Sequence, residues 1–263
     1  MLCRDNIIFY FGFSAVLLAC LTTSPKANAE LTLNAGLRQI YERNVNGAPD
    51  TSKDNQLRDT HTNLSASAVY YTTLGEGNST YFIGQVGAQS SYYHRYSNLH
   101  NSMANASVGL YKQFSSAWSG QFTGRGYTRE TRQRARDANG WGTTLELKNQ
   151  LTPTVWVKGV ADYENSDANA SYFSYTAQTL GLSLGYLPWQ NTFINVGFSE
   201  VKRDFNTAIA FHTTTHTLFT EVSQKLAKNW YVTGSYAYQN NESNIANTAY
   251  TNQILSLGVA FSY

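Results

Sequence analysis

Apolar and polar residues alternate with a period of two through most of the chain after Glu30. In NLSASAVYYTTL, residues 63–74, the apolar face carries Leu64, Ala66, Ala68, Tyr70, Thr72 and Leu74. In GWGTTLELKNQL, residues 140–151, the polar face carries Gly142, Thr144, Glu146, Lys148 and Gln150. Successive side chains of a β-strand point to opposite faces, so the alternation predicts an all-β protein.

The connections between these stretches alternate between short and long. The short ones are residues 75–79, 115–117, 152–153, 188–191 and 227–229. The longer, polar ones are residues 45–56, 97–102, 131–140, 165–171, 204–210 and 240–249. A soluble β-sandwich also has one apolar and one polar face, but turns of unequal length at the two rims are typical of outer-membrane barrels. The pattern therefore predicts a single transmembrane antiparallel β-barrel with short periplasmic turns and longer extracellular loops.

About twelve stretches are long enough to cross a membrane as tilted strands, with ten or fourteen as alternatives. The predicted spans are 30–44, 57–74, 80–96, 102–115, 118–131, 139–152, 154–165, 173–187, 191–204, 211–227, 229–240 and 249–263. The last strand would pair with the first, so that no backbone edge faces lipid.

The first 29 residues predict a secretory signal peptide, and residues 30–263 form the predicted barrel domain. Arg4 precedes the apolar run IIFYFGFSAVLLACL, and small residues at Ala27 and Ala29 predict cleavage after Ala29. A transmembrane anchor and lipidation at Cys20, within LLAC, are the alternatives. Both cysteines, Cys3 and Cys20, lie in this segment, so the predicted mature chain has no disulfide framework.

The composition bears on which classes of function are possible. The formal net charge is +2 and charged residues make up 14% of the chain, which gives no support to nucleic-acid binding. The chain has 19 Tyr, 19 Gly and 5 Trp. Four tryptophans lie beside short turns, and they predict an aromatic girdle at one membrane interface, with Trp141 at the opposite rim. These four are Trp118, Trp156, Trp189 and Trp230.

The chain ends in SLGVAFSY, with a polar residue, a glycine two positions later, and aromatic residues third from last and last. These are Ser256, Gly258, Phe261 and Tyr263. The octet resembles the C-terminal insertion signal of Gram-negative outer-membrane β-barrel proteins. The resemblance implies recognition by the barrel assembly machinery and a place in the bacterial outer membrane. We expect Leu257, Val259, Phe261 and Tyr263 to face lipid.

Strand alternation assigns charged residues of both signs to the lumen, where a channel would select its solutes. The selectivity candidates are Arg38, Arg125, Arg129, Glu146, Lys148, Lys158 and Asp162. Further charged lumen residues are Glu42, Asp59, His61, Arg95, Glu164, Arg203, Glu221 and Lys225. Two interpretations stay open: ion pairs that hold the barrel in shape, or a basic track of Arg125, Arg129, Lys148 and Lys158 for anionic solutes such as acidic oligosaccharides.

Two histidine patterns bear on enzymatic chemistry. Asp59 and His61 share a lumen face, and such a couple would activate water in an outer-membrane hydrolase; a hydrogen bond at the rim is the simpler interpretation. His212 and His216 would lie about 13–14 Å apart in a strand, too far to share a metal ion. No metal site and no cofactor are predicted.

The sequence thus favours a porin-like channel for small hydrophilic solutes, or for export of a polysaccharide. A hydrolase and a structural or surface-interaction barrel are the alternatives. Outer-membrane lipid and lipopolysaccharide are expected to surround the barrel. The basic loop TRETRQRARD, residues 128–137, either contacts the phosphates of lipopolysaccharide or is simply solvated. The oligomeric state is not predicted.

Overall fold

The computed structural model describes residues 29–75, 79–207 and 210–263, which form a closed barrel of twelve antiparallel strands. The strands are β1 Ala29–Glu42, β2 Asp59–Thr73, β3 Thr80–Tyr93, β4 Asn101–Gln113, β5 Trp118–Thr131, β6 Ala138–Thr152, β7 Val155–Ala168, β8 Tyr175–Trp189, β9 Thr192–Phe205, β10 Phe211–Ala227, β11 Trp230–Ser243 and β12 Tyr250–Ser262. The predicted fold is confirmed, with twelve strands rather than ten or fourteen.

Most of the predicted signal peptide lies outside the described residues, so its cleavage and the alternative lipidation of Cys20 stay predictions. Residues 76–78 of the first short turn and 208–209 of one long loop also lie outside them. The only helical elements in the described part of the chain are short 3-10 turns in the longer loops: Asp50–Asn55, Ser97–Leu99, Arg134–Arg136 and Ser171–Phe173. No described helix is long and apolar enough to cross a membrane.

The barrel closes between its first and last strands. β1 pairs antiparallel with β12 from Asn34 opposite Ser262 to Glu42 opposite Ile254. Leu33 and Tyr263 exchange two backbone hydrogen bonds, of 2.9 and 2.8 Å, just beyond this ladder. Because the first and last strands pair with each other, neither leaves a sheet edge unpaired in the hydrocarbon layer.

The two faces of the barrel wall differ as the alternation predicted. The outer face exposes large apolar side chains on nearly every strand, among them Leu31, Leu182 and Leu257. Most of the buried side chains are polar and belong to the inner face or the outer loops. An apolar outside around a polar inside is the arrangement that suits a barrel surrounded by lipid.

Three of the four tryptophans predicted at the short-turn rim do project outward, namely Trp118, Trp189 and Trp230. Trp141 is exposed near the opposite rim, as expected. The prediction was wrong for Trp156, which is only 8% exposed and faces the lumen. It lies two residues before lumen-facing Lys158, so the period of two puts both side chains on the inner face.

The loop between β1 and β2 packs against the wall at the outer mouth. Asn44 is buried and its side-chain amide donates to the backbone carbonyls of Ala48 and Thr251, at 2.9 and 3.1 Å. The side-chain oxygen of Asn252 accepts the backbone N–H of Asn44. The loop is therefore attached to β12 by hydrogen bonds of a buried residue, Asn44, that are shielded from water.

Candidate functional site

The seven selectivity candidates all lie on inner faces of the barrel wall. β1 contributes Arg38, and β5 to β7 contribute the rest: Arg125, Arg129, Glu146, Lys148, Lys158 and Asp162. Arg95 was also expected in the lumen, but β3 ends at Tyr93 and Arg95 is exposed in the loop that follows. Six of the seven thus lie on three adjacent strands, and the lumen beside β5, β6 and β7 is the candidate functional site.

Arg125 is held by two carboxylates on β7. One guanidinium nitrogen, Nη2, donates to Asp162 Oδ2 at 3.0 Å and to Glu164 Oε2 at 2.8 Å. The other terminal nitrogen donates to Asp162 Oδ1 and to the hydroxyl of Thr144, which itself donates to Asp162 Oδ1 at 2.6 Å. Arginine is well suited to such a planar, multidentate contact, which links β5, β6 and β7.

Two tyrosines complete the coordination of Glu164. The hydroxyls of Tyr127 and Tyr175 donate to Glu164 Oε1 at 3.0 and 2.8 Å. The guanidinium of Arg203 lies over the ring of Tyr175, 5.7 Å from its centre. Arg129, four residues beyond Arg125 on β5, adds a positive charge that acts on both tyrosines. The network thus links strands from β5 to β9 and uses the charge of Arg125 within the protein.

Lys148 and Lys158 have a different environment nearer the short-turn end. They face each other in register on β6 and β7. Lys158 is buried and lies 3.6 Å from Glu146. Lys148 instead places its ammonium 4.3 Å from the ring centre of Trp156, a cation–π contact. Within the described chain, Lys148 makes no ion pair with a carboxylate.

Trp156 supplies the surface on which Lys148 rests. Its ring stacks on Phe193 of β9, with centres 5.5 Å apart and planes 6° from parallel. Between them lies Gly185 of β8, the cross-strand partner of Trp156. An aromatic surface with one free ammonium above it is a site that suits a solute with both a hydrophobic ring face and a negative charge.

A line of alternating charges crosses the lumen. Arg38 on β1 lies 3.9 Å from Glu221 on β10, and the charge of Lys158 on β7 also acts on Glu221. In a ring of twelve strands β7 is diametrically opposite β1. Arg38, Glu221, Lys158 and Glu146 therefore place charges of alternating sign on inner faces from β1 round to β6.

Asp59 and His61 do not form an exposed catalytic couple. Both carboxylate oxygens of Asp59 accept the backbone N–H of Arg95, and Oδ2 also accepts that of Tyr96, at 3.0–3.2 Å. His61 is fully buried, 3.6 Å from Glu42, and stacks on Tyr93. Since a general base must reach its substrate, this geometry does not support hydrolysis. Among the residues described, no three His, Cys, Asp or Glu side chains are placed to hold a metal ion.

The basic outer loop is partly engaged by the protein itself. Arg132 donates to the hydroxyl of Ser97 at 2.9 Å, and buried Arg136 lies over the ring of Phe173. Burial and then the charge of Arg132 lower the pKa of His100, which helps its Nδ1 stay an acceptor for the backbone N–H of Tyr93. Contact between this loop and lipopolysaccharide stays a prediction.

The residues of the C-terminal octet divide between the two faces of β12. Ser256 faces inward and shares a 2.7 Å hydrogen bond with Ser235. Gly258 faces inward against Arg38, while Phe261 packs edge-on against Trp230 on the outside. Tyr263 is 75% exposed at the short-turn rim.

Several side chains that build the site had not been connected with it from the sequence. Glu164 was assigned to the lumen but not to Arg125, and Thr144, Tyr127 and Tyr175 had no assigned role. All lie on the inner face of strands whose alternation was clear, so the period of two was sufficient to find them. Only their contacts required the structure.

No protein-family model and no curated protein matches the sequence. Solved structures match in fold. An outer-membrane channel from Pseudomonas putida F1 has a TM-score of 0.62 at 11% identity, covering 92% of this chain and 100% of that chain. The KdgM porin in complex with disordered oligogalacturonate has a TM-score of 0.52 at 12% identity, covering 88% and 99%. The chain therefore has the fold of bacterial outer-membrane β-barrel proteins.

Proposed function

We propose that this protein is a channel for small hydrophilic solutes in the bacterial outer membrane, and that it favours anions over cations. The observation that carries the proposal is the placement of Lys148, a lumen cation that rests on Trp156 and contacts no carboxylate in the described chain. Passive passage is favoured over hydrolysis because His61 is buried and Asp59 is occupied by backbone amides.

The local charge supports a preference for anions. Two lysines lie side by side in register, and one carboxylate, Glu146, lies close to Lys158. An ion in a narrow polar lumen interacts with fixed charges at a dielectric constant well below that of water, so one excess positive charge is felt strongly. Arg125 contributes little to this preference because it is already paired with two carboxylates, Asp162 and Glu164.

We propose acidic saccharides as the class of solute that best fits this surface. Trp156 offers a ring face to a sugar, and Lys148 and Lys158 offer positive charge to its carboxylate. A barrel of similar fold has been captured with oligogalacturonate, which is consistent with this choice.

Planar-bilayer recordings with refolded protein test the proposal. Under a KCl gradient the reversal potential should have the sign of an anion-selective pore, and added galacturonate oligomers should reduce the current more than neutral oligomers of equal length. A cation-selective pore, or equal block by neutral and acidic oligomers, would contradict it.

We also propose that the C-terminal octet directs assembly by the barrel assembly machinery. β12 supplies the seam of the barrel, and Phe261 and Tyr263 lie at its periplasmic rim. Deletion of residues 261–263 should lower the amount of membrane-inserted, heat-modifiable protein severalfold. Normal insertion after this deletion would exclude the assignment.

A further inference from the structure

Five glycines on the inner face each lie directly opposite a large side chain on a neighbouring strand. The pairs are Gly140 with Tyr127, Gly142 with Arg125, Gly185 with Trp156, Gly197 with Phe219, and Gly258 with Arg38. The large side chains of these pairs include Trp156, which lies beneath Lys148, and two arginines predicted to select solutes, Arg38 and Arg125.

Each glycine leaves space that the large partner uses. A Cβ at Gly140, Gly185 or Gly197 would lie well within 3.0 Å of the partner's ring. At Gly142 a Cβ would lie 2.8 Å from Cζ of Arg125, and at Gly258 it would lie 3.2 Å from Cβ of Arg38. Since any other residue would need the same space, the rings of Tyr127, Trp156 and Phe219 and the guanidinium of Arg125 lie flat against the wall over their glycines.

Two of these flat side chains, those of Arg125 and Trp156, reach the second strand along. Arg125 on β5 passes over Gly142 on β6 and meets Glu164 on β7. Trp156 on β7 passes over Gly185 on β8 and meets Phe193 on β9. The same arrangement therefore occurs in two parts of the wall. Arg38 on β1 differs, because only its Cβ and Cγ lie against Gly258 on β12, and its guanidinium approaches Glu221 on β10, the third strand along.

We infer that four of these lumen glycines, Gly140, Gly142, Gly185 and Gly197, set the width of the pore, by giving the large side chains opposite them a place along the wall instead of across the lumen. The evidence for this inference is the packing of each pair, and its expected effect on conductance rests on the proposed channel function. Gly185 is the critical position, because a methyl group there would lift the ring of Trp156, and Lys148 with it, towards the barrel axis.

A double-mutant cycle tests the inference at Gly185. Gly185→Ala should lower single-channel conductance severalfold, whereas the same substitution in a Trp156→Ala background should change it little. Gly159→Ala is the matched control, because Gly159 lies on the outer face of β7 and has open space around the position of a Cβ. An equal loss of conductance in both backgrounds would mean that the glycine acts on the backbone, and would overturn the inference.

A second measurement separates this inference from the channel itself. Urea-induced unfolding should show a lower midpoint for Gly185→Ala than for wild type, with no such shift in the Trp156→Ala background. A wild-type barrel that carries no current would refute the channel while leaving this coupling intact. Loss of the coupling in a conducting barrel would refute the role of the glycine alone.

Discussion

Arg125 and Lys148 are basic residues on the inner faces of adjacent strands, but the protein surrounds them in opposite ways. Arg125 donates to two carboxylates and a hydroxyl, and its side chain is 23% exposed. Lys148 has an aromatic ring beneath it and another lysine beside it. One positive charge is neutralised by the wall, and the other is left for whatever enters the lumen.

The difference shows that the two interpretations of the lumen charges, structural ion pairs and solute selection, apply to different residues. A half-buried arginine with two carboxylates is strongly constrained, because its removal leaves both carboxylates without their cation. A lysine on an aromatic face is held by a weaker contact, of about 0.5–2 kcal/mol, and its charge is not cancelled by an opposite charge. Charge alone therefore does not identify a selectivity residue; its partners do.

The largest expected effect comes from breaking the Arg125 side of this comparison. Arg125→Leu leaves Asp162 and Glu164 adjacent without their cation, so we expect a loss of about 3–5 kcal/mol in the free energy of unfolding. Urea titration of protein refolded into vesicles measures it. Adding Asp162→Asn and Glu164→Gln should recover much of the loss. A single variant as stable as wild type would show that the network does not hold the wall.

An intermediate effect is expected on the Lys148 side. Lys148→Gln should move the reversal potential towards cation selectivity, while unfolding changes by only about 0.5–2 kcal/mol, the usual range for a cation–π contact. Lys112→Gln, which removes an exposed charge from β4 outside the lumen, is the matched control. If both lysine variants shifted the reversal potential equally, net charge rather than lumen position would be responsible.

The smallest expected effect sharpens the comparison from the acidic side. Glu146→Gln removes a negative charge that lies 3.6 Å from Lys158, so the pore should become more anion-selective, opposite in sign to Lys148→Gln. The shift should shrink as the KCl concentration rises, because salt screens fixed charges. Reversal potentials measured at two mean salt concentrations would show this, and a shift towards cations would contradict the assignment of Lys158 to the solute path.

The strands could be predicted from the sequence because each one shows its own alternation of apolar and polar residues. β5 has the predicted bounds, 118–131, since Trp118 follows a short turn and the alternation then continues without interruption. For Trp156, two sequence patterns gave different predictions. Its position beside a turn suggested the membrane interface, but alternation with Lys158 decided its face.

The contacts across the lumen were beyond prediction from alternation. The period of two says that Arg38 and Glu221 both face inward, but not that three strands of curvature bring them within 3.9 Å. Likewise the predicted basic track counted Arg125 with Lys148, because the register that aims Asp162 and Glu164 at Arg125 comes from the pairing of β5, β6 and β7. Register and curvature belong to the closed barrel as a whole.

The seam between β1 and β12 has a consequence for how the chain folds. β1 gains β2 as a neighbour early, but its other edge must wait until β12, almost the whole described chain later, is available. Contacts between residues so far apart in sequence form slowly, and an exposed strand edge meanwhile invites pairing with other molecules. The newly made polypeptide therefore depends on being kept unaggregated until its final segment arrives, and ring closure is expected to be the slow, committing event in its biogenesis.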